Sequence, residues 1–423
     1  MNTFFSDILS FISDLKNRKG GYVFTAIIIS KLLGFLLSIF VIKTLTTSDY
    51  GLVSYAYNII SFVAPFAGFG IFQSLSRYGP LQNSQQQKKT LFNFVLSRGV
   101  ITSIILTTII ILFSSLLTIS LPESLNYLMI VSFLIISHFI FEMIKIHYRI
   151  YNINKLFAYL EISNSIILLI LGTILTFFYG GSGYLISIVI SPLIISIYII
   201  IKYGLLKQIT KHNYSKTYKK SLWVYGLYTS LGGLTSQLIF SIDILTIGFL
   251  IHDPTKVALY KAASLIPFAL LFLPTGVMKT DLVKITQNYQ NKSYLKKYVS
   301  NYLKLFLIIS IGTFISLYFS SSLIMSFFGA EYIEGAQLIP VFAFGLVGAF
   351  LFRTPFGNII TCVGWAKTNT IISIITLSLD IVLNIFFVEK YGIIGAAYST
   401  TLLLWFAGLV SFIAFKKYLN TLD

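Results

Sequence analysis

The chain has 423 residues, of which 56% are hydrophobic and only 11% are charged, and its mean hydropathy is +0.84. A soluble protein of this length needs far more polar surface, so the composition predicts an integral membrane protein. One cysteine, Cys362, and four scattered histidines argue against a disulfide framework, a thiolate metal cluster and a two-histidine metal site, so we expect no metal and no other cofactor.

Apolar runs that are long enough to cross a hydrocarbon core of ~30 Å, which takes about 20 helical residues, follow one another along the chain. They lack the ten-residue alternation of membrane β-barrels, so they are predicted to be helices. The first six helices are placed at 22–42, 51–75, 91–119, 125–146, 157–178 and 183–203. The next six are placed at 223–250, 258–278, 302–328, 338–363, 368–388 and 393–415. We predict an all-α integral membrane fold with twelve transmembrane helices.

The basic residues are concentrated in the N-terminal segment, in every second loop and at the C-terminus. The lysine pairs at 88–89, 296–297 and 416–417 are examples, whereas the opposite loops are relatively acidic, with Asp49 and Glu123 among them. The positive-inside rule therefore predicts a protein of the cytoplasmic (inner) membrane with both termini in the cytoplasm. This topology also explains the net charge of +17, so we expect no nucleic acid as a partner.

These boundaries divide the chain into five predicted segments. A cytoplasmic interfacial segment with apolar residues at helical spacing precedes two six-helix lobes, which are joined by a basic cytoplasmic linker and followed by a cytoplasmic tail. In chain order the segments are 1–21, 22–203, 204–222, 223–415 and 416–423.

An internal repeat relates the two lobes. A stretch that starts at Lys155 and includes the glycine-rich turn 179–187 reappears about half a chain length later, from Lys367 through 391–399. We call the number of residues from Lys155 to Lys367 the repeat offset. Both copies are predicted to form the tight outer turn between the fifth and sixth helices of a lobe, where glycines let the chain reverse. Because six is an even number, both halves enter the membrane in the same orientation. The lobes are therefore predicted to be two parallel six-helix repeats, an arrangement found in transporters.

Several short stretches resemble a known family: residues 31–38 (KLLGFLLS), 49–54 (DYGLVS), 329–332 (GAEY), 364–367 (GWAK) and 391–397 (YGIIGAA). They are similar to the polysaccharide repeat-unit (O-antigen type) flippases of the multidrug/oligosaccharidyl-lipid/polysaccharide exporter superfamily, over essentially the whole chain. The resemblance implies a V-shaped exporter. It would move undecaprenyl-pyrophosphate-linked oligosaccharide units, for O-antigen, capsule or a similar polysaccharide, from the inner to the outer leaflet by alternating access. It also implies membrane lipids, a polysaccharide polymerase and a chain-length regulator as partners.

The residues themselves leave two other functions open. A cation-coupled multidrug exporter would share the fold and would favour acidic residues in its cavity. A polyprenyl-dependent glycosyltransferase or polymerase is disfavoured, because the sequence has no phosphate-binding Gly-x-x-x-x-Gly-Lys-[Ser/Thr] loop, no Asp-x-Asp pair and only short outer loops. We therefore predict a transporter and not an enzyme.

Ionisable residues inside the hydrocarbon are the candidate functional residues, because each costs ~3 kcal/mol to insert. Lys31, Arg353 and Arg98 are predicted to bind the substrate, since fixed cationic donors can replace part of the hydration that a pyrophosphate loses in the membrane. Asp243 and Asp380 are predicted to be proton or sodium sites that couple transport, or counter-ions that stabilise the empty cavity. The residues leave these two roles open.

Each candidate also has a simpler interpretation. Lys31 could be a structural partner of one of the two aspartates, Arg353 could reach cytoplasmic water, and Arg98 could anchor the phosphates of ordinary lipids. Pro355 is predicted to break the helix that carries Arg353. The acidic residues Glu142 and Glu161 are predicted to lie at the membrane interface, close to helix ends.

Overall fold

The computed structural model describes residues 21–79, 82, 84–151, 153–205, 219–227, 230 and 241–422. Within these residues every regular element is a helix. Residues 1–20 of the predicted interfacial segment, most of the linker 204–222 and the middle of the seventh predicted helix (228–229 and 231–240) lie outside the described residues.

The helices of the first part of the chain follow the apolar runs, and polar side chains cap them where they begin. The Thr46 hydroxyl accepts a hydrogen bond from the Asp49 N–H, and Ser84 and Gln87 form a reciprocal capping box. The helices are α1 (Gly21–Thr44), α2 (Thr47–Val63), α3 (Ile71–Tyr78), α4 (Gln85–Leu112), α5 (Ser114–Leu117), α6 (Leu125–Ser132), α7 (Leu134–Ile150) and α8 (Asn154–Tyr203). Short 3₁₀ segments lie at Ala64–Gly70 and Pro122–Ser124.

Residues 219–227 are also helical, and eight further helices complete the described chain. These are α9 (Ile242–Ile251), α10 (Pro254–Ala269), α11 (Phe272–Gln287), α12 (Lys292–Phe328), α13 (Leu338–Gly348), α14 (Thr354–Cys362), α15 (Ala366–Tyr391) and α16 (Ile393–Asn420). A 3₁₀ segment precedes α13 at Ala330–Gln337, and a π-helical segment joins α13 to α14 at Ala349–Arg353.

Nine helical stretches of the described residues are long and apolar enough to cross a membrane, which makes this a multi-pass membrane protein. They coincide with ten of the twelve predicted helices, because Lys155–Tyr203 covers two of them. The first predicted helix corresponds to α1, and only parts of the seventh are described. The all-α membrane fold is thus confirmed, while the number of twelve spans stays a prediction.

Contacts between residues divide the chain into two compact units. One contains Tyr22–Ser241 and His252–Ala258, and its largest interhelical contact is between α7 and α8. The other contains Ile242–Ile251 and Leu259–Asp423, and in it α16 packs along α15 and α13. The lobe boundaries 22–203 and 223–415 remain predictions.

Two of the predicted helices contain a 3₁₀ or a π-helical segment. The second is interrupted at Ala64–Gly70, where Gly68, Phe69 and Gly70 all have a positive φ. The Gly68 N–H, which has left the helical ladder, donates a hydrogen bond to Ser103 Oγ at 2.8 Å. Such a break is tolerated because Ala67, Gly68 and Gly70 are buried in protein and the freed donor is satisfied.

The other irregular helix is the tenth. The prediction that Pro355 breaks this helix is wrong, because the chain stays helical through the π-helical segment Ala349–Arg353 and into α14. The Thr354 N–H bonds the carbonyl of Ala349, five residues earlier, and Pro355 falls in the first turn of α14. Pro355 has no N–H to continue this ladder, and the Phe350 carbonyl five residues earlier instead accepts a hydrogen bond from the Tyr302 hydroxyl at 3.1 Å.

The internal repeat is present in the structure as well as in the sequence. Gly180 (φ 58°, ψ −139°) and Gly392 (φ 63°, ψ −144°), which are separated by the repeat offset, have nearly the same left-handed conformation. Three residues later in each copy, a glycine lies against a carbonyl of the preceding helix. A Cβ on Gly183 would lie 1.9 Å from the Leu175 oxygen, and one on Gly395 would lie 2.0 Å from the Phe387 oxygen. Both turns therefore require glycine for the same two reasons.

Candidate functional site

Asp243 and Asp380 lie in one buried polar cluster, and both side chains are 0% exposed. Asp243, at the beginning of α9, accepts hydrogen bonds at Oδ2 from the hydroxyl of Tyr260 and from Thr400 Oγ1, the latter at 2.6 Å. Asp380, near the middle of α15, interacts electrostatically with Asp243. The structure thus brings together the two acidic residues that the sequence singled out.

Asp380 has its own pair of donors. Asn384 Nδ2 donates to its Oδ1 at 2.7 Å, and Ser399 Oγ donates to the same oxygen at 3.3 Å. Asn384 also interacts with Asp243, so it links the two carboxylates.

Among the described residues, three oxygens of this cluster have no hydrogen-bond donor: Asp243 Oδ1, Asp380 Oδ2 and Asn384 Oδ1. A buried carboxylate oxygen without a partner is costly, so these atoms define a place that a positive charge would stabilise. Oxygens of carboxylate and amide groups are the ligands that hard cations take, and a carboxylate oxygen can equally take a proton. Chemically, the cluster is able to hold a small cation.

The cluster belongs to the second half of the chain only. At the repeat offset, Asp380, Asn384 and Thr400 correspond to Leu168, Gly172 and Ile188. The first half forms the same helices and the same glycine turn without these polar side chains, so the fold itself does not require them.

Arg353 ends the π-helical segment and is partly buried. Its Nη1 donates to Asn369 Oδ1 at 3.5 Å and its Nη2 donates to Ser373 Oγ at 3.3 Å. Both acceptors lie in the first two turns of α15, so the guanidinium points toward the end of α15 that is predicted to be cytoplasmic. Gly357, one turn further along, leaves room for it: a Cβ there would lie 2.8 Å from Nη1.

The charge of Arg353 is not neutralised by a carboxylate in the described part of the chain. Its two acceptors are neutral and both hydrogen bonds are long, while a guanidinium has five N–H donors. Donors therefore remain for an anion, and the two neutral contacts hold the group in one orientation.

Lys31 and Arg98 are both exposed side chains on long helices. Lys31 is the eleventh residue of α1, and Arg98 lies roughly 20 Å along α4 at 1.5 Å per residue. Among the described residues Lys31 forms no ion pair. No described contact joins Lys31 to Arg98, and the roles of both stay predictions.

Sequence reasoning missed the neutral members of both sites. Thr400, Asn384 and Ser399 surround the aspartates, and Asn369 and Ser373 orient Arg353. One signal was available: Asp380 and Asn384, like Asn369 and Ser373, are four residues apart and so share a helix face.

The fold is that of the exporters of the multidrug/oligosaccharidyl-lipid/polysaccharide (MOP) superfamily. An inward-facing multidrug resistance transporter of the MATE family matches with a TM-score of 0.76, over 93% of this chain and 95% of that chain, at 15% identity. Lipid II flippase MurJ, in an inward closed conformation, matches with a TM-score of 0.72, over 94% of this chain and 89% of that chain, at 20% identity. The predicted exporter fold is confirmed.

Residues 17–277, more than half of the chain, match the family model of polysaccharide biosynthesis proteins, and the chain belongs to that family. The capsular polysaccharide biosynthesis protein CapF of Staphylococcus aureus is 24% identical over 412 residues, which cover 94% of this chain and 98% of CapF. An uncharacterized membrane protein of Methanocaldococcus jannaschii, MJ1068, is 26% identical over 224 residues, 50% of this chain and 44% of that protein. The resemblance to polysaccharide exporters is confirmed, and the proteins that share this fold are a multidrug resistance transporter and a lipid II flippase.

Proposed function

We propose that this protein is a flippase that moves undecaprenyl-pyrophosphate-linked oligosaccharide units from the inner to the outer leaflet of the cytoplasmic membrane. Three findings support the proposal: the family match, the similarity to a capsule protein along nearly its whole length, and the exporter fold. The observation that carries it is Arg353, a guanidinium within a hydrophobic span whose only described partners are neutral.

The physical reason lies in the headgroup of the substrate. A pyrophosphate that enters a membrane-embedded cavity loses water, and fixed cationic donors replace part of that hydration. In this proposal Arg353 binds the headgroup, and Lys31 and Arg98 provide further positive charge along its path. The undecaprenyl chain stays in lipid, so the protein has to hold only the polar part of the substrate.

We further propose that the cluster around Asp243 and Asp380 holds one small cation, a proton or a sodium ion, which couples transport to a gradient. The three oxygens without donors support this role over that of a counter-ion, because a counter-ion would be expected to pair with a basic side chain. In the described residues the hydrogen-bond donors to these aspartates are hydroxyls and an amide. With both termini in the cytoplasm, as proposed, the unit would be delivered to a polymerase and chain-length regulator outside.

A deletion in the native host followed by lipid analysis tests the proposal. We expect completed lipid-linked units to accumulate in the inner leaflet, where a membrane-impermeant glycan label cannot reach them, and surface polysaccharide to be lost. Wild-type protein and Lys417→Gln, which removes an exposed charge near the C-terminus, should restore export, while Arg353→Gln at equal protein levels should not. An unchanged leaflet distribution in the deletion strain, or efflux of cationic dyes by the purified protein instead, would refute it.

A further inference from the structure

A second buried cation lies in the other unit of the chain. Lys145 Nζ, on α7, is 2.6 Å from Glu142 Oε1 and 2.5 Å from Glu161 Oε1. The side chain of Lys145 is 9% exposed and those of the two glutamates are 22% exposed. The ammonium also lies 5.4 Å from the centre of the Phe157 ring. Glu142 and Glu161 thus form a largely buried ion cluster with Lys145, and their position at the membrane interface stays a prediction.

The repeat relates this cluster to the surroundings of Arg353. Helices α7 and α14 end at Ile150 and Cys362, and α8 and α15 begin at Asn154 and Ala366, so each pair is again separated by the repeat offset. At this offset the two partners of Lys145 on α8 correspond to the two partners of Arg353 on α15. Phe157 corresponds to Asn369, and Glu161 corresponds to Ser373.

The position that corresponds to Lys145 itself is Gly357. Its missing side chain is replaced by the guanidinium of Arg353, which reaches forward one turn and comes within 2.8 Å of where a Cβ on Gly357 would be. Each half of the chain therefore places one cation against the same two positions of its fifth predicted helix. One half does so with a lysine at that position, and the other with an arginine four residues earlier over a glycine.

The two cations differ in how they are neutralised. Lys145 is paired with two carboxylates, so its charge is already neutralised when an anion approaches. Arg353 has a hydroxyl and an amide oxygen at the corresponding places, which orient the guanidinium and leave its charge available. A planar guanidinium binds phosphate oxygens through two parallel N–H bonds, and the Ser373 hydroxyl can donate a third.

We propose that Arg353, Asn369 and Ser373 form a single phosphate-binding site for the headgroup of a polyprenyl phosphate. We also propose that Lys145 is the repeat-related counterpart, kept from binding phosphate by Glu142 and Glu161. Arg353 and Ser373 contact the phosphate, and Asn369 and Gly357 are positioning residues that hold the guanidinium. The inference rests on the proposed function, because that function supplies the lipid phosphate.

Equilibrium binding of radiolabelled undecaprenyl phosphate to the full chain in phosphatidylcholine nanodiscs tests the first half. Ser373→Asp places a carboxylate where Glu161 lies in the other half, and Ser373→Asn is its matched neutral control. We expect affinity to fall about 10- to 100-fold in Ser373→Asp and in Arg353→Gln, the loss of one or two charge-assisted hydrogen bonds, and to fall clearly less in Ser373→Asn, which loses only the hydroxyl donor. Wild-type affinity in Ser373→Asp would overturn the assignment.

Competition identifies the source of the phosphate. Inorganic pyrophosphate should displace the labelled lipid in wild type, because the site recognises the headgroup, whereas a large excess of phosphatidylglycerol should not. Equal displacement by phosphatidylglycerol would overturn the assignment to a polyprenyl headgroup. If the wild-type chain does not bind undecaprenyl phosphate at all, the proposed function itself fails. If wild type and Ser373→Asp bind it equally well, only the assignment of the site fails.

A gain of binding tests the second half. In the Arg353→Gln background, Glu142→Gln together with Glu161→Gln frees the charge of Lys145, and we expect binding of undecaprenyl phosphate to return. The single change Glu161→Gln should give a smaller gain and serves as the measurement if the double change lowers the folded yield. Folded Glu161→Gln or double-variant protein that binds no better than Arg353→Gln alone would show that Lys145 is not a silenced phosphate site.

Discussion

Replacement of Gly357 by alanine is predicted to weaken phosphate binding without destabilising the fold. A methyl carbon at this position would lie 2.8 Å from Arg353 Nη1 and 3.5 Å from Asn369 Oδ1. Ordinary contact begins at about 3.5 Å, so the guanidinium has to retreat by roughly 0.7 Å. The arginine side chain is flexible and can move, but the two neutral contacts that orient it are already long and would be lost.

The expected magnitudes have opposite signs for binding and for stability. The loss of one charge-assisted hydrogen bond to the ligand removes about 1.5–3 kcal/mol, which is about 10- to 100-fold in affinity. In a helix interior alanine is favoured over glycine by about 1 kcal/mol, so the thermal stability of Gly357→Ala should be equal to or higher than that of wild type. We therefore expect a stable protein with weakened binding of undecaprenyl phosphate.

Gly312→Ala is the matched control, because Gly312 is also a helical glycine and a Cβ there would have no atom within 4 Å. It should gain the same stability and keep wild-type affinity. Binding in nanodiscs and thermal unfolding in the same preparation measure both effects. If Gly357→Ala binds as tightly as Gly312→Ala, the guanidinium does not depend on the space over Gly357 and the reasoning is refuted.

Three further predictions concern the other features. Asp380→Asn should uncouple export from an imposed sodium or proton gradient in vesicles while binding of undecaprenyl phosphate is kept; gradient-driven export at the wild-type rate would contradict the coupling role. Gly180→Ala and Gly392→Ala should each lower the free energy of unfolding by about 1–2 kcal/mol, because alanine is strained at positive φ. An unchanged melting temperature of either variant would contradict the requirement for glycine at that turn. Lys145→Gln should reduce the folded yield strongly, because it leaves two largely buried carboxylates without their cation; a yield equal to that of Arg353→Gln would argue against the buried cluster.

Hydropathy and glycine placement predicted much of this fold, for identifiable reasons. Apolar runs of membrane length can only be helices in lipid, and the turns at Gly180 and Gly392 recur in the sequence because the same left-handed conformation recurs in the structure. The break at Ala64–Gly70 was not predicted. Pro65 was visible, but the path of the segment depends on Ser103, which accepts a hydrogen bond from the Gly68 N–H and is distant in sequence.

The charged members of the candidate site were predictable and the neutral ones were not. Asp243, Asp380 and Arg353 stand out because a charge in an apolar run is expensive, whatever its neighbours are. Thr400 and Ser373 do not stand out, since hydroxyl side chains bond the carbonyl of their own helix at little cost, as Thr376 does. Only the packing of α15 against α9, α14 and α16 reveals which hydroxyls face a charge.

For Glu142 and Glu161, too, the sequence shows the charged residues but not the contacts between helices. Glu142 and Lys145 are three residues apart on one helix, a spacing typical of solvated pairs at an interface. The third member, Glu161, belongs to the next helix, and its approach makes the group a buried cluster that neutralises the lysine. The repeat relates this cluster to the site of Arg353, because Ser373 lies beside Arg353 at the position that corresponds to Glu161.

Reconstituted flipping measures the central claim most directly. Purified protein is placed in vesicles whose outer leaflet carries a fluorescent undecaprenyl-pyrophosphate-linked oligosaccharide, and a membrane-impermeant quencher reports how much label has crossed. The account predicts that wild-type protein and Lys417→Gln accelerate crossing and that Arg353→Gln and Ser373→Asp do not. Crossing no faster than in protein-free vesicles, or equal acceleration by all four proteins, would contradict it.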